Sequence, residues 1–382
     1  MSTDHATLRL VVPQFDSPLT DLIIDLDHLR RKEFVGTTPP QLFFQLKRIF
    51  FMLESIGSAR IEGNRTTIAE YIETKIKRDD HHHASIVEIR NMEAVMEFID
   101  ENVRKSPINQ AFVAKLHRMV VVGLPKPPNG EGDKTPGKYR TIQVRIGGAD
   151  HLPPDPKDVR TMMEELFVWL NRKEPPKYDL LKIAVAHHRF SWIHPFTNGN
   201  GRTGRLLTYA LLVKSGFNVD ARRILNPSAV FCADRNRYYS ALSQADYGTD
   251  EGMLAWCEYV LGGLRDEIEK IDRLLNYDFL SQEILLPAIR LSLESGQLDK
   301  LDAKLLKRAV ERGTFQASDW KALLPGKAPS EITRTINRLK DRNLLIADGE
   351  NVRKYVVRFD NNFLLRSVMR ILDEKGFLPL QD

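Results

Sequence analysis

Cysteine is almost absent: Cys232 and Cys257 are the only two in 382 residues. Two thiols cannot make a disulfide framework and fit a reducing compartment. There is no run of 18 apolar residues, and the start, Met1-Ser-Thr-Asp-His5, has no basic stretch followed by an apolar one. These patterns argue against a membrane span and a secretory leader, so the expectation is a cytoplasmic protein with no membrane partner. Without export, the acceptor-like Asn64-Arg-Thr66 carries no meaning as a glycosylation site. No internal repeat or low-complexity segment is present. A net charge of +5 is mild, and the length allows two or three domains with their own cores.

What is present is concentrated in His194-Pro-Phe-Thr-Asn-Gly-Asn-Gly-Arg-Thr-Gly-Arg205. Gly199, Asn200 and Gly201 let the backbone turn so that consecutive N–H groups converge on an anion. The run from Arg202 to Ser215 reads as a helix ending at Gly216, and a helix N-terminus favours negative charge. Arg202 and Arg205 are three apart and suit a di- or triphosphate, since each fork binds bidentately. His194 is the one group in the string that takes a proton near neutral pH. The string is equipped for moving a phosphate ester.

Gly199-x-Gly201-x-x-Gly204, with Asp220 downstream, also matches a dinucleotide fingerprint. That fingerprint must follow a buried strand. Here the preceding residues Asp179 to Ile193 are long, carry His187, His188 and Arg189, and have helical periodicity. A metal reading of His81-His-His83 fails on geometry, because consecutive side chains do not share a face.

The twelve-residue string resembles the signature of the Fic family, HPFx(D/E)GNGRxxR, at every defined position but one. Members of that family are mainly helical and mostly transfer AMP from ATP to a protein hydroxyl. The resemblance implies that His194 deprotonates an incoming Ser, Thr or Tyr hydroxyl and that Gly199, Asn200 and Gly201 hold the α- and β-phosphates. Arg202 would grip the leaving pyrophosphate and Arg205 the γ-phosphate, with Thr203 and Gly204 completing the ATP-binding stretch. The departure is Asn198, which stands where the family usually has the Asp or Glu that holds Mg²⁺. An amide oxygen brings no charge, so metal affinity and transfer rate are expected to be weakened.

Three further elements follow the same resemblance. Ser58-Ala-Arg-Ile-Glu62-Gly63 is similar to the inhibitory (S/T)xxxE(G/N) motif, in which Glu62 would pair with Arg205 and occupy the γ-phosphate space. Capping by Ser58 is the alternative, but a capping box needs its Glu one position earlier. Residues 137–148 alternate at Ile142, Val144 and Ile146, the period of a strand, and in the family a β-hairpin flap here docks the target by strand addition. Tyr238 and Tyr239 resemble the aromatic pair near the nucleotide base, with one of the two expected in the core.

Residues 301–358 hold 13 Lys and Arg against 7 Asp and Glu. Leu301 to Arg312 reads as a helix, Ser318 to Leu324 as a short second one, and Ser330 to Arg342 as a third, capped by Ser330 with Ile332, Ile336 and Leu339 as its apolar stripe. Leu344 to Ile346, the turn Asp348-Gly349 and Tyr355 to Phe359 form a two-stranded wing. The whole resembles a winged helix-turn-helix, in which Arg334, Asn337, Arg338 and Arg353 would face a DNA duplex. The same module can instead mediate protein contacts.

The expected architecture is mainly α: a Fic-type helical core with a β-hairpin flap, plus a C-terminal winged helix. Its divisions are an N-terminal helical region over 1–105, a core over 106–265, a charged linking helix over 266–284 and the winged module over 285–382. The expected function is a protein adenylyltransferase using ATP and, weakly, Mg²⁺, acting on a protein hydroxyl and on itself, with a homodimer possible. The alternatives are removal of AMP, with Glu62 positioning water, or a nucleotide-sensing DNA-binding regulator in which Asn198 has cost it catalysis.

Overall fold

The computed structural model describes residues 8–31, 37–77, 83–147, 150–217, 224, 227–349 and 351–378. His81, His82, Gly148 and Asp220 therefore lie outside the described residues. The elements run α1 (Pro18–Arg31), α2 (Pro40–Ile61), α3 (Ile68–Lys77), α4 (Ala84–Asn102), α5 (Gln110–Val121), α6 (Val159–Asn171), α7 (Asp179–Ile193), α8 (Asn200–Ser215), α9 (Pro227–Cys232), α10 (Arg235–Asp246), α11 (Asp250–Leu274) and α12 (Tyr277–Phe279). A π-helical stretch, Leu280–Leu285, leads into α13 (Leu286–Glu294) and α14 (Lys300–Arg312). A 3-10 helix over Ala317–Leu323, α15 (Pro329–Asp341), strands β1 (Leu345–Asp348) and β2 (Asn351–Val357), and α16 (Leu364–Glu374) complete the chain. No helix among the described residues is long and apolar enough to cross a membrane.

Two compact units emerge, and neither is one continuous block. The first comprises residues 1–34, 51–66 and 82–268; the second comprises 35–50, 67–81 and 269–382.

The first unit is built around α7 and α8. Most helices bury one stripe, but α7 buries Leu180, Leu181, Ile183, Ala184, Val185, Ala186, Phe190 and Ile193 on all sides, and α8 is buried from Arg202 to Val213. A helix apolar all round belongs at the centre of a core. Gly204 explains how closely the two approach: a Cβ there would sit 3.1 Å from Cδ1 of Phe190. α8 ends where the sequence suggests, at Gly216, whose φ of 120° suits glycine. Asn109 caps α5 by accepting the Phe112 N–H at 3.0 Å.

The second unit follows the expected order of helix, short helix, helix and hairpin, with local corrections. The middle helix is a 3-10 turn, and α15 begins one residue early, with Pro329 at its first position and Ala328, not Ser330, at the cap. Glu331 takes the Ala328 N–H at 2.8 Å, doing for this end what a serine hydroxyl was expected to do. Ile332, Ile336 and Leu339 are buried as the stripe predicts. β1 and β2 pair antiparallel with Leu345 opposite Val357 and Ala347 opposite Tyr355. The stretch expected as a separate linking helix is instead the continuation of α11 as far as Leu274.

One buried carboxylate organises α14 and α15. Asp302, fully buried, accepts from both Arg338 and Arg342. Arg338 thus pairs with Asp302 while much of its side chain stays exposed. Arg338 and Arg342 keep 46% and 36% of their side-chain exposure, so losing Asp302 leaves cations that water still reaches. Asp302→Ala is therefore expected to cost about 2 kcal/mol, the worth of hydrogen bonds to a charged group, read as a lowered denaturation midpoint of the full chain.

Candidate active site

α7 stops at His194, which adopts the left-handed conformation with φ 50° and ψ 62°. A residue with a Cβ pays roughly 1 kcal/mol for that geometry, and non-glycine residues held there mark functional sites. Three contacts hold it. The His194 N–H bonds to the Phe190 carbonyl at 3.0 Å, Nε of Arg140 donates to the His194 carbonyl at 2.9 Å, and the Arg140 N–H donates to the Pro195 carbonyl at 2.9 Å. Pro195 then prevents the helix from resuming.

The loop from His194 to α8 is braced from within. Asn200 accepts the Phe196 N–H at 2.8 Å and returns its amide to the Phe196 carbonyl at 2.9 Å. Gly199 is left-handed at φ 74°, and its carbonyl takes the N–H and the hydroxyl of Thr203 at 3.0 and 2.8 Å. Thr203 thus serves the turn and Gly204 the helix packing, so the structure gives these two named positions scaffold contacts. His117, fully buried, stacks on Phe196 with ring centres 3.8 Å apart. Its Nδ1 accepts the Gly137 N–H at 2.8 Å, so Nε2 carries the proton to the Asn198 carbonyl at 2.9 Å.

Arg202 and Arg205 are both buried and answered from different elements. Arg202 donates through Nη1 to Glu88 on α4 at 2.6 Å, and through Nη2 to the carbonyl and carboxylate of Glu131 at 2.9 and 3.1 Å. Its Nε has no partner among the described residues. Arg205 donates Nε to the Ser58 hydroxyl at 2.8 Å, and Nη2 to the Ser58 carbonyl at 2.9 Å and Glu62 at 2.6 Å. Ser58 lies inside α2, not at its cap, and its carbonyl is in the last turn, where orphan acceptors attract a cation. Gly63, at φ 101°, ends the helix so that Glu62 projects from it. A Cβ on Gly201 would lie 2.1 Å from Oε1 of Glu62, so only glycine admits that carboxylate.

Glu62 and His194 line one cavity of about 420 Å³ with Asn200, Gly201, Arg205, Ile146, Tyr238 and Tyr239. Tyr238 is buried and bonds through its hydroxyl to Nε2 of His187 at 3.0 Å, while Tyr239 is 39% exposed. Burial pushes the Glu62 carboxyl up, but Arg205 and Arg202 outweigh it and hold it below the usual range. His194 is pulled down to about 4, chiefly by desolvation; the Glu62 charge works the other way. The imidazole is therefore neutral at pH 7 and able to accept a proton.

Residues 107–212 match the Fic/DOC family. That match takes in the stretch of the chain that carries the site. The chain is 30% identical over 246 residues to a protein adenylyltransferase Fic from Nematostella vectensis, covering 62% of this chain and 52% of that one, and 34% identical over 196 residues to one from Drosophila yakuba, covering 50% and 36%. The chain thus spans about half or less of the length of these curated relatives. Its fold is that of a Fic family protein from Desulfovibrio desulfuricans G20, at TM-score 0.55 and 20% identity over 91% of this chain and 98% of that one. Fic-1 from C. elegans gives 0.53 and 22%, covering 66% and 71%.

Two expectations for the Fic domain are corrected. Residues 137–147 form no strand among the described residues, and Ile142 is 58% exposed. The alternation is real, but no neighbouring strand offers a ladder; Arg140 and Gln143 tether the segment to carbonyls instead, at Ile142, Pro154 and Pro153. The second correction is the metal. Oδ1 of Asn198 turns back onto the Gly199 N–H at 2.7 Å, and its amide faces the Gly132 carbonyl at 3.2 Å and Glu131 at 3.4 Å. Asp133 is engaged by the Asn198 and Thr135 N–H groups at 3.0 and 2.6 Å. No cluster of three metal-ligating side chains exists among the described residues. Asn198 brings no charge and its amide oxygen is already engaged, so position 198 offers Mg²⁺ no free carboxylate.

Arg140, Glu88, Glu131, His117 and Asp133 escape sequence reading because each acts across a long separation. Four of them are buried and Glu131 is partly exposed, and no local pattern in the sequence marks any of the five. For His194 the structure makes a specific forecast. An NMR titration of the nucleotide-free protein is expected to place its midpoint near 4, and Glu62→Gln, by removing the charge that favours imidazolium, is expected to move it lower. A midpoint near 6.5 would mean a solvated ring.

Proposed function

We propose that the chain transfers AMP from ATP to a hydroxyl of a protein and that Glu62 restrains it. The supporting observation is the shared cavity, where a neutral His194 faces Arg205 and the carboxylate already paired with it. His194 takes the proton of a Ser, Thr or Tyr hydroxyl as its oxygen attacks the α-phosphorus; the new O–P bond forms, the bond to the β-phosphate oxygen breaks, and pyrophosphate leaves. Gly199, Asn200 and Gly201 at the start of α8 present N–H groups to the phosphates, and Arg205, once released, receives the γ-phosphate. Arg202, on the same helix, is held by Glu88 and Glu131 behind the cavity lining and would reach the pyrophosphate only on release from them. Phosphoryl-type transfer relies on such positioning and charge. No step is assigned to a metal.

With Glu62 in place, the Arg205 fork is occupied and a carboxylate stands where a triphosphate would extend. Misalignment of about an ångström costs roughly a hundredfold in rate. Glu62→Gly is expected to raise covalent labelling from α-labelled ATP by about that order, in the protein itself and in a cell lysate, and Glu62→Gly/His194→Ala to abolish it with ATP affinity retained. Labelling no greater than wild type in Glu62→Gly would overturn the restraint; labelling that survives His194→Ala would overturn the base.

A separable reading concerns the second unit, where α15 leaves Arg334 and Asn337 exposed beside the hairpin. A duplex in the groove of such a module would meet these two residues first. Binding to random DNA fragments is expected to weaken with salt as counterions are released, and Arg334→Ala to reduce the slope of log affinity against log salt by about 1. Absence of binding at low salt would leave the module to protein contacts.

A further inference from the structure

Arg140 is 2% exposed, and every acceptor it meets among the described residues is a backbone carbonyl. Nε reaches His194 at 2.9 Å, Nη1 reaches Ile142 at 3.1 Å, and Nη2 is shared between Pro154 at 2.6 Å and Ile193 at 3.4 Å. Two of these carbonyls close the C-terminal end of α7, where unsatisfied acceptors and the helix dipole favour a cation. The other two lie in the segments that flank the cavity mouth. From the anchored residues 140–143 the chain runs without regular structure to Ile146 and Gly147, which line the cavity beside His194. No strand pairs with it among the described residues.

We propose that Arg140 is the positioning residue for the protein acceptor: one guanidinium fixes the left-handed backbone of His194 and the segment 141–147 in a single frame. An acceptor chain lying along that segment then arrives with its hydroxyl in register with the base. The planar fork matters because it serves three separate chain segments at once, which a lysine ammonium cannot do at the same reach. Nucleotide contacts are absent from this role, since the phosphate cradle begins at Gly199 and is braced by Asn200 and His117 without Arg140. The proposal rests on the AMP-transfer reading for its substrate, but its structural half stands apart from it.

The test uses the full chain carrying Glu62→Gly, with Arg140→Met, Arg140→Lys and the milder Gln143→Ala, which removes only the 2.7 Å tether to the Pro153 carbonyl. Arg140→Met is expected to raise the KM for the protein acceptor and lower labelling kcat/KM tenfold or more, with ATP affinity by calorimetry within twofold. Arg140→Lys recovers part of the loss, and Gln143→Ala shows a several-fold rise in acceptor KM. Hydrogen exchange of the amides at 141–147 is expected to quicken in Arg140→Met while those of α5 and α8 hold. Unchanged acceptor kinetics in a folded Arg140→Met protein overturn the proposal, as does a parallel fall in ATP affinity, melting temperature and labelling, which marks a general structural role. If Glu62→Gly labels nothing, the AMP-transfer reading fails, and the exchange at 141–147 alone decides whether Arg140 holds the segment: unchanged exchange sinks it too.

Discussion

Two guanidinium groups on a helix that has no solvent face set the terms for the rest of the first unit. A buried cation without a counter-charge is not tolerated, so α8 can occupy the centre of the core only if other elements bring acceptors to Arg202 and Arg205. α4 brings Glu88, the loop before residue 133 brings Glu131, and the end of α2 brings Ser58 and Glu62. The arrangement of α2, α4 and α8 is thus an electrostatic solution as much as a hydrophobic one. Asn64 joins two of these answers, since its amide donates to the Glu88 carboxylate at 2.8 Å immediately beyond the turn that carries Glu62. Burial raises the Glu88 carboxyl despite Arg202, whereas Glu62, nearer the cavity, is held low.

The neutral base and the charged clamp are two consequences of one burial. Desolvation lowers His194, which keeps it free to accept a proton, and the same low-dielectric setting strengthens the Glu62–Arg205 pair that lines the cavity. The proposed restraint and the proposed base therefore draw on the same buried setting. The Arg205–Ser58 contacts do not pass through Glu62, and Arg205 itself lines the cavity.

Legibility in the sequence followed the range of each interaction. α7 and α8, with the end at Gly216, are readable because their determinants lie within a few residues, and the string from His194 to Arg205 is readable because it is contiguous. Glu62 was readable only through its company with that string, although its partner is 143 residues away. Glu88, 114 residues from Arg202, and Arg140, 54 from His194, carried no local mark. The flap shows the converse error: alternation at Ile142, Val144 and Ile146 signals an extended chain, but pairing needs a second strand, which no local pattern guarantees. Ser330 failed as a cap because Pro329 claims the first helical position and Glu331 reaches back to the preceding N–H.

Asn198 is better understood from its neighbours than from the residue it replaces. Its side chain must donate to the Gly132 carbonyl and approach the Glu131 carboxylate while accepting the Gly199 N–H. An amide has both a donor and an acceptor to meet these demands, which an ionised carboxylate lacks. An aspartate would direct lone pairs at a carbonyl and a carboxylate, and it would add a negative charge to a loop in which Asp133 is already buried. Glu131, in turn, stays close to Asn198 because Arg202 holds it, so the residue at 198 is tied to the same buried cation on which α8 depends. The departure from the family pattern is thus coupled to how this chain neutralises Arg202, and exchanging it alone would unbalance a set of four groups rather than restore one ligand.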